Sequence, residues 1–144
     1  MSVDASALLG TLDRAGVRVT GPRRRVAALI AAHDGPFTAA DLVAEARTDG
    51  ERLGRATVFR AIDLFSELGL LERVDLPGGD HAYVACRPAH HHHLICTRCG
   101  RTSDVEDLGI ADTLRQVADR SGYRIDDHRL ELYGTCPICL RAAD

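Results

Sequence analysis

The sequence predicts an α+β chain in two parts, and three observations predict it. Apolar residues recur at helical spacing from residue 6 to residue 68. Short strand-like runs then flank the turn Pro77-Gly78-Gly79-Asp80, and all five cysteines and five of the seven histidines fall at or beyond Cys86. At 144 residues the chain has the length of one ordinary domain or two small ones.

The first helix is expected over residues 6–15, where Leu8, Leu9 and Leu12 share a face and Gly16 stands at the stop. Thr20 with Pro22 marks a second start, and Val26, Leu29 and Ile30 form its stripe before Asp34-Gly35-Pro36. Thr38 and Asp41 resemble a capping box that leads into Leu42, Val43 and Ala46. Gly54 opens a fourth helix over residues 55–68, apolar at Val58, Ile62, Leu64, Phe65 and Leu68, with Gly69 as its stop. Residues 71–76 and 81–85 read as two strands of a hairpin. Farther on, residues 94–96 and 129–133 read as strands and residues 110–121 as a helix stopped by Gly122.

Short helices followed by a two-stranded hairpin are the outline of a winged helix-turn-helix, whose second helix enters the DNA major groove. Here that helix is 55–68, with Arg55, Thr57 and Arg60 able to reach bases or phosphates. The competing reading is a helical domain whose arginines are simply solvated. A net charge of −3 excludes a polycationic nucleic-acid coat. Charge is nevertheless segregated: residues 14–25 hold five arginines and residues 52–60 three, with no acid in either stretch. An apolar share of 45% and a charged share of 27% exclude wholesale disorder. No run reaches the roughly 18 apolar residues of a membrane span, and the N-terminus lacks a signal-peptide pattern. A cytoplasmic chain with no membrane partner is expected.

Cys96-Thr97-Arg98-Cys99 and Cys136-Pro137-Ile138-Cys139 are two CxxC pairs. Each spacing lets two thiolates converge on one ion, and two such knuckles complete a tetrahedral sulfur shell suited to structural zinc. Disulfides are a rival that reducing surroundings disfavour. Redox chemistry is a second rival that lacks the helix-start context. A closed sulfur shell leaves no open position for substrate, so this ion is expected to hold the fold.

The run His90-His91-His92-His93 leads directly into Leu94-Ile95-Cys96. In an extended segment His90 and His92 face one way, and His91 and His93 the other. The lone Cys86 stands five residues before His91. A cysteine, two histidines and one carboxylate would complete a tetrahedral site across the hinge. Glu72 is the first candidate carboxylate and Asp75 the second, with His81 an alternative nitrogen donor. The plainer reading of Cys86 is a small buried apolar residue. His33 is isolated and reads as structural or exposed.

These residues together resemble the ferric uptake regulator family of metal-dependent repressors, specifically its zinc-sensing branch, over nearly the whole chain. The resemblance is carried by Gly16-Val17-Arg18-Val19-Thr20-Gly21-Pro22-Arg23, by Ala56-Thr57-Val58-Phe59-Arg60-Ala61 before Leu68-Gly69-Leu70, and by the run from His90 through Cys99 to Gly100. The stretch from His128 to Cys136 also carries it. It implies a winged-helix DNA-binding domain over residues 1–85, a hinge over 86–90 and an α/β metal-binding dimerisation domain over 91–144. Such proteins bind palindromic, often A·T-rich operators as homodimers when the sensed metal is present, and are not enzymes. By position, Arg18 and Arg23 are similar to phosphate or minor-groove contacts, and Phe59 and Arg60 to recognition-helix contacts. Phe59 replaces the family's usual tyrosine, so a hydroxyl contact is lost.

The resemblance also implies the regulatory ligands Glu72, Cys86, His91 and His93, with zinc as the sensed ion. Iron- and peroxide-sensing members draw on a histidine and an oxygen ligand where this chain has Pro36 and Val84. Asp104, a ligand position in that branch, is kept, which leaves an iron-, manganese- or peroxide-sensing repressor as the alternative, with Fe2+ or Mn2+ at the regulatory site. A third metal would use His90, His92 and His128, with Ala111 where the family has a glutamate; Asp112, Asp104 or water is the substitute. From another class, zinc storage or transfer would use the histidine run but leaves the winged helix without a purpose. A zinc deaminase needs a His-x-Glu that this chain lacks.

Overall fold

The structure is a computed structural model that describes residues 3–48, 50, 52–86, 91–105 and 109–143. The chain divides into two compact units, Met1–Ala89 and His90–Asp144. Among the described residues no helix is long and apolar enough to cross a membrane.

The first unit contains α1 (Ala5–Arg14), α2 (Gly21–Ala31), α3 (Ala39–Thr48), α4 (Arg55–Glu67), β1 (Leu71–Asp75) and β2 (His81–Ala85). Its helices start where side chains satisfy the free N–H groups. Asp4 accepts from the Ala7 N–H at 2.7 Å and Thr20 from the Arg23 N–H at 3.4 Å. Thr38 and Asp41 form the reciprocal box, with the Thr38 N–H donating to Asp41 at 2.7 Å and the Asp41 N–H to the Thr38 hydroxyl at 3.1 Å.

In the first unit, α1 and α4 end on glycines that must adopt positive φ. Gly16 (φ 70°) and Gly69 (φ 69°) let the following N–H fold back, from Val17 to Leu12 O and from Leu70 to Phe65 O, both at 2.9 Å. The second of these turns delivers Leu70 to the core and points the chain into β1. Leu8, Leu12, Val26, Ile30, Phe37, Leu42, Val58, Ile62 and Phe65 form the fully buried centre. β1 and β2 pair antiparallel, with Leu71 opposite Ala85 and Glu72 opposite Val84. A bridge between Phe37 and Tyr83 ties the hairpin to the loop after α2.

The second unit holds β3 (His92–Cys96), β4 (Thr102–Val105), α5 (Ile110–Ser121), β5 (Glu131–Gly134) and α6 (Pro137–Arg141). The sheet order is β4-β3-β5, with β4 antiparallel and β5 parallel to the central strand. β3 begins at His92, two residues before the expected strand, because the histidines continue its extended backbone. β5 starts at Glu131 rather than Arg129. β4 and α6 are new relative to the sequence reading.

Candidate metal and DNA sites

The four sulfurs converge within the second unit. β3 ends at Cys96, the turn after it carries Cys99, and β5 leads to Cys136 and Cys139 at the start of α6. All four Sγ atoms lie within 4.8 Å of one another. Cys99 Sγ and Cys136 Sγ are 3.7 Å apart, close to the edge of about 3.8 Å expected for a tetrahedron with Zn–S near 2.3 Å. That distance is far beyond a disulfide bond, and none of the five cysteines is in a disulfide.

Backbone N–H groups also aim at sulfur, from Cys136 to Cys96 at 3.3 Å and from Cys139 to Cys136 at 3.5 Å. Donation from the Cys136 backbone, then from that of Cys99, holds the Cys96 thiol down at about 6, so this sulfur is readily anionic. The Cys139 N–H lowers Cys136 in the same way. Cys139 is pushed up to about 12, because its proton is shared with the sulfurs of Cys136 and then Cys99. Arg98 clamps the second knuckle by donating to Cys139 O at 2.9 Å, and the Thr97 N–H binds Gly134 O at 2.8 Å. The residues therefore have the geometry of a structural zinc centre.

The hairpin of the first unit sorts the other candidate ligands by pleat. Positions 72, 74, 82, 84 and 86 share one face; 71, 73, 75, 81, 83 and 85 share the other. On the first face the Cys86 sulfur lies 3.9 Å from Glu72 Oε2 and 3.4 Å from Val84 O. Cys86 is buried and Glu72 half-buried. Asp75 and His81 stand on the opposite face and engage each other, His81 Nδ1 to Asp75 at 2.8 Å, with Arg73 2.6 Å from His81 Nε2. Of the alternatives the sequence leaves open, only Glu72 shares a face with Cys86.

The histidines split as alternation requires. His91 and His93 present their rings edge to face, with centroids 4.8 Å apart. His92 instead approaches His128, with centroids at 5.2 Å. His92 and His93 are both buried, so both faces of the central strand are covered at this end. His93 Nδ1 lies 3.5 Å from Asp104 Oδ1, its partner in strand register. His90, the remaining residue of the proposed third site, lies outside the described residues, as do positions 87–89 of the expected hinge. Asp112 pairs with Arg115, and Ala111 lines an open cavity of about 690 Å³ beside His128. His33 Nε2 lies within hydrogen-bond distance of Glu45 Oε2 at 3.1 Å and the ring packs on Phe37, a structural role.

The candidate DNA-contact residues all lie on the first unit. Thr57 and Arg60 of α4 line a cavity with Thr20, Pro22 and Arg23 at the start of α2. Arg23 Nη1 donates to Arg18 O at 2.6 Å, which ties both arginines to one loop. Phe59 is half-buried against the core, and the Arg55 guanidinium lies 5.1 Å from its ring centroid. Sequence reading assigns Thr20 only to the helix start; its spacing of three from Arg23 was the available signal for a shared wall.

Residues 14–133 match the family model of the ferric uptake regulator family. The ferric uptake regulation protein of Legionella pneumophila is 33% identical over 129 residues, covering 89% of this chain and 95% of that protein. A solved zinc uptake regulator, complexed with zinc and DNA, superposes with a TM-score of 0.79 at 26% identity, over 96% of this chain and 94% of that one. The ferric uptake regulator of Francisella tularensis, solved with iron, gives a TM-score of 0.70 at 27% identity, over 87% and 96%. The chain belongs to the ferric uptake regulator family of metal-responsive transcription regulators.

Proposed function

We propose that this family member is a zinc-responsive repressor that binds palindromic operator DNA as a homodimer in the cytoplasm. The observation that carries the reading is the donor set: the Cys86 thiol 3.9 Å from Glu72 in one unit, and the paired rings of His91 and His93 in the other. A thiolate, two imidazoles and a carboxylate form a four-coordinate set suited to zinc. One ion taking two ligands from each unit ties the DNA-reading unit to its neighbour. Ligand bonds formed only in the DNA-competent arrangement shift the population toward it. The ion of Cys96, Cys99, Cys136 and Cys139 has no open position and holds the fold of the second unit. His92 and His128, with His90, are the ligands of a third ion.

Arg18, Arg23, Arg55, Thr57, Phe59 and Arg60 form the DNA face, and α4 is the recognition helix. Two-fold pairing is supported by apolar side chains left exposed on the second unit, with Leu94 and Leu132 adjacent in strand register and Val117 on α5. The domain division is 1–85, 86–90 and 91–144, and the chain is a regulator rather than an enzyme.

A second reading, an iron- or manganese-responsive repressor, is favoured by the Asp104 carboxylate beside His93. The test is a mobility shift on an operator selected by the wild-type chain from a randomised duplex library, titrated metal by metal. A shift at lower free zinc than free Fe2+ or Mn2+ is expected. A shift with Fe2+ or Mn2+ alone would replace zinc by the second reading. No selected duplex with any metal would leave storage or transfer as the better account.

A further inference from the structure

The four sulfurs of the second unit are not held alike. Cys96 is buried and its sulfur accepts the Cys136 N–H at 3.3 Å, while the Cys136 sulfur accepts the Cys139 N–H at 3.5 Å. Among the described residues no backbone N–H is aimed at the sulfur of Cys139. The links between the two knuckles are uneven as well. At the end near β5, the Thr97 N–H and hydroxyl both donate to Gly134 O, at 2.8 and 3.2 Å. At the Cys139 end, the described link is one bond from Arg98 Nη1 to Cys139 O at 2.9 Å.

That carbonyl is one that α6 leaves open. The Ala142 N–H turns back to Ile138 O at 3.0 Å and the Ala143 N–H to Leu140 O at 3.2 Å. Among the described residues no backbone N–H reaches Cys139 O. A helix cannot satisfy its own last carbonyls, and a basic side chain is a common substitute. Here the substitute comes from the other knuckle, 41 residues away in sequence.

We propose that Arg98 is a positioning residue of the metal centre: its bond to Cys139 O holds the Cys139 leg closed and sets how fast the ion escapes. The inference rests on the structural-zinc reading above and deepens it. Cys96 and Cys136 stay in place through the N–H groups aimed at them, whereas Cys139 swings outward with α6 once Arg98 lets go. Opening that leg leaves three sulfurs and a free position at which a competing ligand enters. Retention of the ion is thus governed from outside the sulfur shell.

The test follows zinc release from the full zinc-loaded chain to an excess of a chromogenic chelator. Arg98→Ala is expected to release zinc about tenfold faster than wild type, the worth of one bond from a charged donor. Arg98→Lys keeps a charged donor and should fall between the two. Arg141→Ala removes an equal charge from the same helix, where no bond is made, and should release at the wild-type rate. Equal acceleration by Arg141→Ala would assign the effect to net charge and overturn the latch. An unchanged rate in Arg98→Ala overturns it directly.

Limited alkylation with N-ethylmaleimide, mapped by mass spectrometry, locates the leg that opens. Cys136 and Cys139 are both half-buried, so each is the reference for the other. Cys139 should react before Cys136 in zinc-loaded wild type, and the gap should widen in Arg98→Ala. Even acceleration at all four cysteines, with faster amide exchange in β3, would mean general loosening and overturn the latch. A third readout needs no variant. Arg98 Nη signals in wild-type NMR should be resolved by slow rotation of an engaged guanidinium, and a single averaged signal counts against the bond. If the purified chain holds no zinc and Co2+ gives no thiolate charge-transfer band, the structural-zinc reading falls and the latch with it. Bound zinc with unmoved release rates sinks the latch alone.

Discussion

The two units are held together by different physics. In the first, eight large or medium apolar side chains from four helices, with Phe37 from the loop after α2, reach full burial around Phe65, Ile62 and Leu8; each such burial contributes roughly 1.5–3 kcal/mol. In the second, the buried residues among those described are Ile95, Cys96, His92 and His93, all on β3, and α5 buries none. Hydrocarbon alone cannot order a sheet and a helix with so little enclosed. On the proposed function the second unit draws its missing stability from metal–sulfur bonds and from a partner surface, so its fold depends on an ion.

The largest expected effect tests that contrast directly. Cys96→Ser removes one of four sulfurs, including the one that receives the Cys136 N–H, and structural zinc in small domains supplies on the order of 10 kcal/mol. The second unit is expected to lose its fold and bound zinc while the first keeps its helical spectrum. In amide NMR, residues of β3–β5 should collapse to random-coil shifts and those of α1–α4 should not move. Loss of both sets together would mean that the first unit is not self-sufficient. The mirror experiment is Phe65→Ala, expected to cost about 3–5 kcal/mol in the first unit, with zinc content unchanged in metal analysis.

Cys86→Ser should be quieter in stability and louder in function. It leaves the four-cysteine cluster intact and replaces a soft ligand by a hard hydroxyl. Zinc-dependent enhancement of operator affinity is expected to fall by about 5–150-fold, the usual range of a coupling between sites. The melting profile and dimer mass should stay at wild-type values. An undiminished zinc response would remove Cys86 from the switch and leave it as a buried small residue.

The same contrast decides what could be read from the sequence. In the first unit each signal acts locally: caps, stop glycines and apolar spacing all concern neighbours within a turn, so α1, α2, α4 and the hairpin fall within a residue or so of expectation. β4 was not legible because Thr102–Val105 is a polar edge strand without apolar alternation. α6 was hidden inside a cysteine knuckle and is five residues long. The CxxC spacing announced its cluster because a knuckle is local too. The candidate ligands on the hairpin needed register: parity along β1 and β2 separates Glu72 from Asp75 and His81, and that parity follows only once Leu71 is known to face Ala85. The approach of Asp104 to His93 needed a strand pairing that no single segment declares.

The smallest expected effect lies in the capping box of α3. The Asp41 carboxyl is held below the ordinary carboxylate range, first by the Thr38 N–H and then by the Thr38 hydroxyl, with a smaller pull from His33. A folded-state pKa below the unfolded one favours the native state once pH is above the unfolded value, and that contribution disappears as pH falls through the folded value. Asp41 is exposed, so solvent screens the charge and its share of stability is small. Thr38→Ala should cost about 1 kcal/mol at neutral pH, and less in acid, where the protonated Asp41 no longer benefits from the N–H. Urea melts of the first unit's helical signal at neutral pH and below pH 4 measure the difference. A cost that stays constant across that range would place the whole effect in the hydroxyl cap and none in the carboxylate.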